Sequence, residues 1–119
     1  MAKRKSGPNG VANALCETKD GVKVFINFSY QTHINDRVWS RPFAAPKRID
    51  DKSYGQLIAA ARYVARYYTS NRLTPYQAHI ERQIKNCLNE NYQNEADALA
   101  KSGLEIDTIK ITSFKQTQY

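Results

Sequence analysis

From Val22 to Gln31 the chain alternates without a break: Val22, Val24, Ile26, Phe28 and Tyr30 take one parity, and Lys23, Phe25, Asn27, Ser29 and Gln31 the other. Successive side chains of a strand point to opposite faces, so this period of two predicts a half-buried β-strand with one apolar face and one largely polar face. A strand of that kind needs partners, which commits the chain to a sheet with a core on one side only. Lys19-Asp20-Gly21 before it is a turn signal. After Asn35-Asp36, the run Arg37-Val38-Trp39-Ser40-Arg41 is again β-branched and aromatic until Pro42 and Pro46 forbid a central ladder. The two runs predict a hairpin. Val11 to Glu17 fits either a turn of helix or an extended lead-in.

Helical spacing takes over next. Asp50, Asp51 or Ser53 can cap a helix over 53–70, whose buried stripe is Tyr54, Leu57, Ile58, Ala61, Val64, Ala65 and Tyr68. Thr74-Pro75-Tyr76-Gln77 has the cap, first-turn proline and closing Gln of a capping box, so a second helix runs to about Asn89 on Ile80, Ile84, Cys87 and Leu88. A short third helix over 94–102 ends at Gly103. Leu104, Ile106, Ile109 and Ile111 form a last strand, and their change of parity after Ile106 predicts a bulge. The fold class is α+β: a small antiparallel sheet, from an N-terminal hairpin plus the C-terminal strand, with two or three helices packed on one face. The boundaries are a disordered basic arm at 1–10, one domain at 11–114 and a polar tail at 115–119. The sheet's other face is solvated, and function is to be sought there.

At 119 residues the chain supports one core. Eighteen Lys and Arg against eleven Asp and Glu give a net charge of +7; setting aside Lys3, Arg4 and Lys5 leaves +4 on the body. Apolar runs such as Leu57 to Ala61 fall far short of the roughly 20 residues that span a bilayer. The basic start leads into Gly7, Pro8, Asn9 and Gly10 rather than an apolar segment, so a cytoplasmic protein is expected. Cys16 and Cys87 are expected as reduced thiols, and they and His33 and His79 lack the spacing of a zinc site. The five glycines are scattered and form no phosphate loop, so no cofactor or metal is expected.

Enzymatic readings find little support. Cys16 and Cys87 sit in segments explained by packing, and Asp50-Asp51 serve as caps. Glu105-x-Asp107-x-x-Lys110 has the charges of a Mg²⁺ nuclease site without a third ligand, and a solvated strand face accounts for it. A non-enzymatic protein is expected.

Cations interleaved with rings suit a polyanion with flat bases. Arg62 and Arg66 lie four apart, as do Tyr63 and Tyr67, all off the buried stripe, and Arg72 extends the row. The plainer account is that Arg complements the helix C-terminus and Tyr covers apolar surface. Arg37, Trp39 and Arg41 share one strand face. A two-residue hairpin loop puts Trp39 in the core with Val24, Ile26 and Phe28. A three-residue loop joins Arg37, Trp39 and Arg41 to Lys23, Phe25, Asn27, Ser29, Gln31 and His33 as a basic and aromatic platform for single strands or a ribbon for a major groove. Lys47-Arg48 and the Lys3, Arg4, Lys5 arm add phosphate contacts. The expected partner is nucleic acid, DNA ahead of RNA. Lys3, Arg4, Lys5, Lys47, Arg48, Arg62, Arg66 and Arg72 contact phosphates, and Phe25, Trp39, Tyr63 and Tyr67 contact bases or sugars. The alternative is a protein-binding module, a small inhibitor, adaptor or virion component, docking on an acidic partner, since Tyr, Trp and Arg also anchor protein interfaces.

Overall fold

The alternating run becomes the middle strand of a three-stranded antiparallel sheet in the order β1-β2-β3. The computed structural model describes residues 6–34, 49, 51–90 and 104–117. Its strands are β1 (Ser6–Glu17), β2 (Lys23–Ile34) and β3 (Leu104–Gln116); its helices are α1 (Asp51–Ala65) and α2 (Gln77–Glu90), with a 3₁₀ turn at Ser70–Arg72. The architecture is the α+β class expected, with an N-terminal hairpin, a C-terminal strand and two helices.

The hairpin is built from other segments than expected. β1 takes in residues 6–10, assigned to the arm, and 11–17, and it pairs with β2 around the Lys19-Asp20-Gly21 turn. Gly21 supplies the positive φ, 80°, that closes this turn. β1 and β3 then occupy both sides of β2, leaving neither for the 37–41 run; residues 37–41, and the helix expected over 94–102, lie outside the described residues. β3 runs on to Gln116, past the expected tail boundary. Its expected bulge is present: Gln31 pairs with Thr108 and Thr32 with Ile106, so Asp107 is the extra residue. A second shift leaves Thr112 extra between Ser113 and Ile111.

On one face of the sheet Ala12, Ala14, Cys16, Val24, Ile26, Phe28, Ile106 and Ile111 are buried, together with Leu57, Ala61, Val64 and Ala65 of α1 and Ile80, Ile84 and Leu88 of α2. Gly10 belongs there too, because a Cβ would lie 2.7 Å from the Tyr30 hydroxyl. The helices differ from expectation at their ends. α1 stops at Ala65, after which Tyr67 and Tyr68 donate their N–H groups to Val64 and Ala65 in a tighter turn. α2 begins at Gln77 without the capping box, since the Gln77 side chain donates to the Ile111 carbonyl at 2.9 Å.

That last bond belongs to a wider pattern. An edge strand exposes unpaired N–H and C=O groups, which natural sheets cover. On β3, the Asn89 carboxamide both donates to the Ile106 carbonyl and accepts from its N–H, each at 3.0 Å. Glu81 accepts from the Ile111 N–H at 2.6 Å. On β1, the Tyr54 hydroxyl accepts from the Asn13 N–H at 3.4 Å, and Arg62 Nε donates to the Leu15 carbonyl at 2.9 Å. Tyr54, expected in the buried stripe, is therefore exposed at the sheet edge. Each helix caps the outer strand it packs upon.

Candidate functional site

The C-terminal half of α1 and the β1–β2 turn meet at a groove of about 600 Å³ lined by Leu15, Cys16, Glu17, Thr18, Lys19, Lys23, Arg62 and Arg66. α1 brings Arg62 and the turn that follows it brings Arg66 to the β1 edge, while the hairpin brings Lys19 and Lys23. Four cations thus face the single carboxylate of Glu17. Among the described residues none of the four is within ion-pair distance of a carboxylate. Cys16 lies at the back of the groove; burial pushes its thiol up to about 11 against the lowering effect of Arg62, so it is protonated and a poor nucleophile at neutral pH.

The turn is fixed by Asp20. Its carboxylate accepts from the Thr18 hydroxyl and from the Ser70 N–H and hydroxyl, at 3.0 and 2.8 Å, which ties the hairpin to the 3₁₀ turn after α1. The bonds from Thr18 and then Ser70 hold this carboxyl down at about 2. A group depressed on folding stabilises above its unfolded pKa and loses that contribution as pH falls through the folded value. The thermal midpoint is therefore expected to fall between about pH 4 and pH 2 less steeply in Asp20→Asn than in the parent protein. Parallel curves would mean that Asp20 does not anchor the turn.

The expected ladder of Arg and Tyr divides in two. Tyr63 and Tyr67 are exposed and stack edge to face at 5.5 Å between centroids, and the Tyr67 hydroxyl donates to that of Tyr63 at 3.3 Å. Arg62 instead bonds β1, and Arg66 lies between the groove and Tyr63. Arg72 is exposed in the 3₁₀ turn that docks on Asp20.

The sheet's open face continues from the groove. Register sets its rows from β1 through β2 to β3: Leu15, Phe25, Lys115; then Asn13, Asn27, Ser113; Val11, Ser29, Lys110; and Asn9, Gln31, Thr108. Asn27 Nδ2 donates to Ser113 Oγ at 2.9 Å, and the Thr108 hydroxyl donates to Gln31 Oε1 at 3.3 Å. Phe25 is half-buried on this face beside Leu15, adjoining the groove. At the far end lie His33 and two carboxylates. His33 is buried with Nε2 2.9 Å from Glu105 Oε2 and Nδ1 3.7 Å from Asp107 Oδ1. Lys110 lies opposite Ser29, four β2 residues and so about 13 Å along the sheet from the row of His33 and Glu105. Among the described residues no three His, Cys, Asp or Glu side chains are placed to hold a metal ion, and no helix is long and apolar enough to cross a membrane.

Of the residues singled out from the sequence, Phe25, Arg62 and Arg66 come together around the β1 edge. Lys3, Arg4, Lys5, Arg37, Trp39, Arg41, Lys47 and Arg48 lie outside the described residues. Lys23 is expected only as part of the platform in one hairpin register, and Lys19 is not singled out; the signal for both is the Lys19-Asp20-Gly21 turn, whose other strand must be β1 for them to reach Arg62. His33 is expected on that platform, but not its pairing with carboxylates, because its partners are 72 and 74 positions away in the chain and meet it only through the β2–β3 register. No protein-family model matches the chain, and no curated protein matches it.

Proposed function

We propose that this is a small, non-enzymatic nucleic-acid-binding protein that contacts phosphates through Lys19, Lys23, Arg62 and Arg66 and meets bases with the sheet face beside them. The observation that carries this reading is the groove itself: side chains remote in sequence supply four cations with no ion-paired carboxylate among the described residues, next to a sheet face bearing Phe25 and a field of amides and hydroxyls. Cations held this way displace condensed counterions from a polyanion, and the free energy gained depends on salt. The cations at Lys3, Arg4, Lys5, Arg37, Arg41, Lys47, Arg48 and Arg72, with Trp39, Tyr63 and Tyr67, are assigned to the same ligand from the sequence alone.

The test is fluorescence anisotropy with labelled oligonucleotides over a salt series. The four groove cations alone are expected to account for about a hundredfold of the fall in affinity for duplex DNA between about 50 and 200 mM salt. Replacing Lys19, Lys23 and Arg66 together by Gln is expected to flatten the slope of log K against log salt by about 2.7. Arg62 is left in place because it also caps β1. An isotherm insensitive to salt, or a stoichiometric acidic protein partner in place of nucleic acid, would move the protein to the protein-binding class.

A further inference from the structure

Resting on the nucleic-acid reading, we propose that the ligand is duplex DNA of B form, with the open face of the sheet laid in its major groove. The layout of charge across the strands points there. One margin carries Arg62 and Arg66 at the β1 edge, and the other carries Lys110 and Lys115 on β3. Between them the face is neutral and rich in hydrogen-bonding groups: Asn13, Asn27, Ser29, Gln31, Thr108 and Ser113. Cation, amide, cation is the complement of phosphate, base edge, phosphate across a groove. The widths agree: two strand spacings put β1 and β3 about 10 Å apart, against a major groove about 12 Å wide.

The middle strand has the chemistry of base reading. Asn27 uses one Nδ2 hydrogen on Ser113, which orients its amide and leaves Oδ1 and the second N–H, the pair that matches N6–H and N7 of adenine. Gln31 accepts from Thr108 through Oε1 and keeps its amide hydrogens for an acceptor. Other nucleic acids fit this face poorly. The A-form major groove of duplex RNA is too deep and narrow for a sheet. A single strand needs successive exposed rings to stack upon. Of the rings the open face carries among the described residues, Phe25 is half-buried and His33 buried, while Tyr63 and Tyr67 stack on each other.

The whole chain is titrated against a mixed-sequence DNA duplex, its separated strands and the RNA duplex of the same sequence, then challenged with methyl green in the major groove or netropsin in the minor groove. Duplex DNA is expected to bind at least about tenfold more tightly than either other probe, and methyl green, not netropsin, is expected to displace the protein. Asn27→Ala is expected to reduce the preference between A·T-rich and G·C-rich duplexes about tenfold and leave the salt slope unchanged. Lys110→Gln with Lys115→Gln is expected to flatten that slope by about 1.8 with the preference intact. Equal or tighter binding to single strands or RNA, displacement by netropsin, or an unaltered preference in Asn27→Ala overturns this proposal while the nucleic-acid reading stands. Absence of salt-dependent binding to all three probes removes both.

Discussion

Phe28→Ala is expected to lower the stability of the protein by about 3–5 kcal/mol, read as a shift in the urea midpoint. Phe28 is fully buried at the middle of the central strand, with Ala12 beside it on β1 and Ile111 on β3. Removing the ring leaves a cavity whose walls are two backbone-paired strands, and Ala12 has no side chain long enough to collapse into it. A domain of this size holds about 5–15 kcal/mol in total, so the change takes a third or more of a typical value. Phe25→Ala, three residues earlier and of opposite parity, is the control. Phe25 is half-buried on the open face, and its loss is expected to cost markedly less. Equal costs would mean that the two faces of β2 have been assigned wrongly.

The second large effect is expected at Asn89. Its carboxamide satisfies both polar groups of Ile106 on the outer edge of β3, and Ile106 is itself buried. Asn89→Ala removes both partners at once, and an unsatisfied buried group costs about 1–3 kcal/mol, so about 2–4 kcal/mol is expected in all. Native-state hydrogen exchange gives a sharper reading. The Ile106 amide bonds a helix side chain, so its protection is expected to collapse in Asn89→Ala, while amides of β2 that bond neighbouring strands keep theirs. Unchanged protection at Ile106 would show that Asn89 is not its partner in solution.

How much of this was legible beforehand follows from residue size. β2 was plain because Val, Ile, Phe and Tyr alternate with polar neighbours, and the β3 bulge was plain because isoleucines changed parity. β1 was not, because it inverts the usual contrast. Its buried positions after Pro8 are Ala12, Ala14 and Cys16, whereas Val11 and Leu15, its larger apolar residues, face outward, Val11 with 71% of its surface exposed. A rule that sends the larger apolar residue inward finds no strand there, and so places the hairpin on the wrong side of β2. At the site, Arg62 and Arg66 were legible from helical spacing, which is local. Lys19 and Lys23 depend on which strand closes the hairpin, and Lys110 and Lys115 on a register with two bulges. No count of residues along the chain contains either.

Those small residues of β1 lie beneath α1, which is itself small on its inner side at Ala60, Ala61 and Ala65. Small side chains on both elements let helix and strand approach closely there. The reach of Arg62 and Arg66 over the β1 edge is thereby set by residues with no chemistry of their own. A bulkier side chain at Ala14 or Ala61 would act as a shim, lifting the helix and carrying both guanidinium groups away from the lysines of the turn, with no functional residue altered.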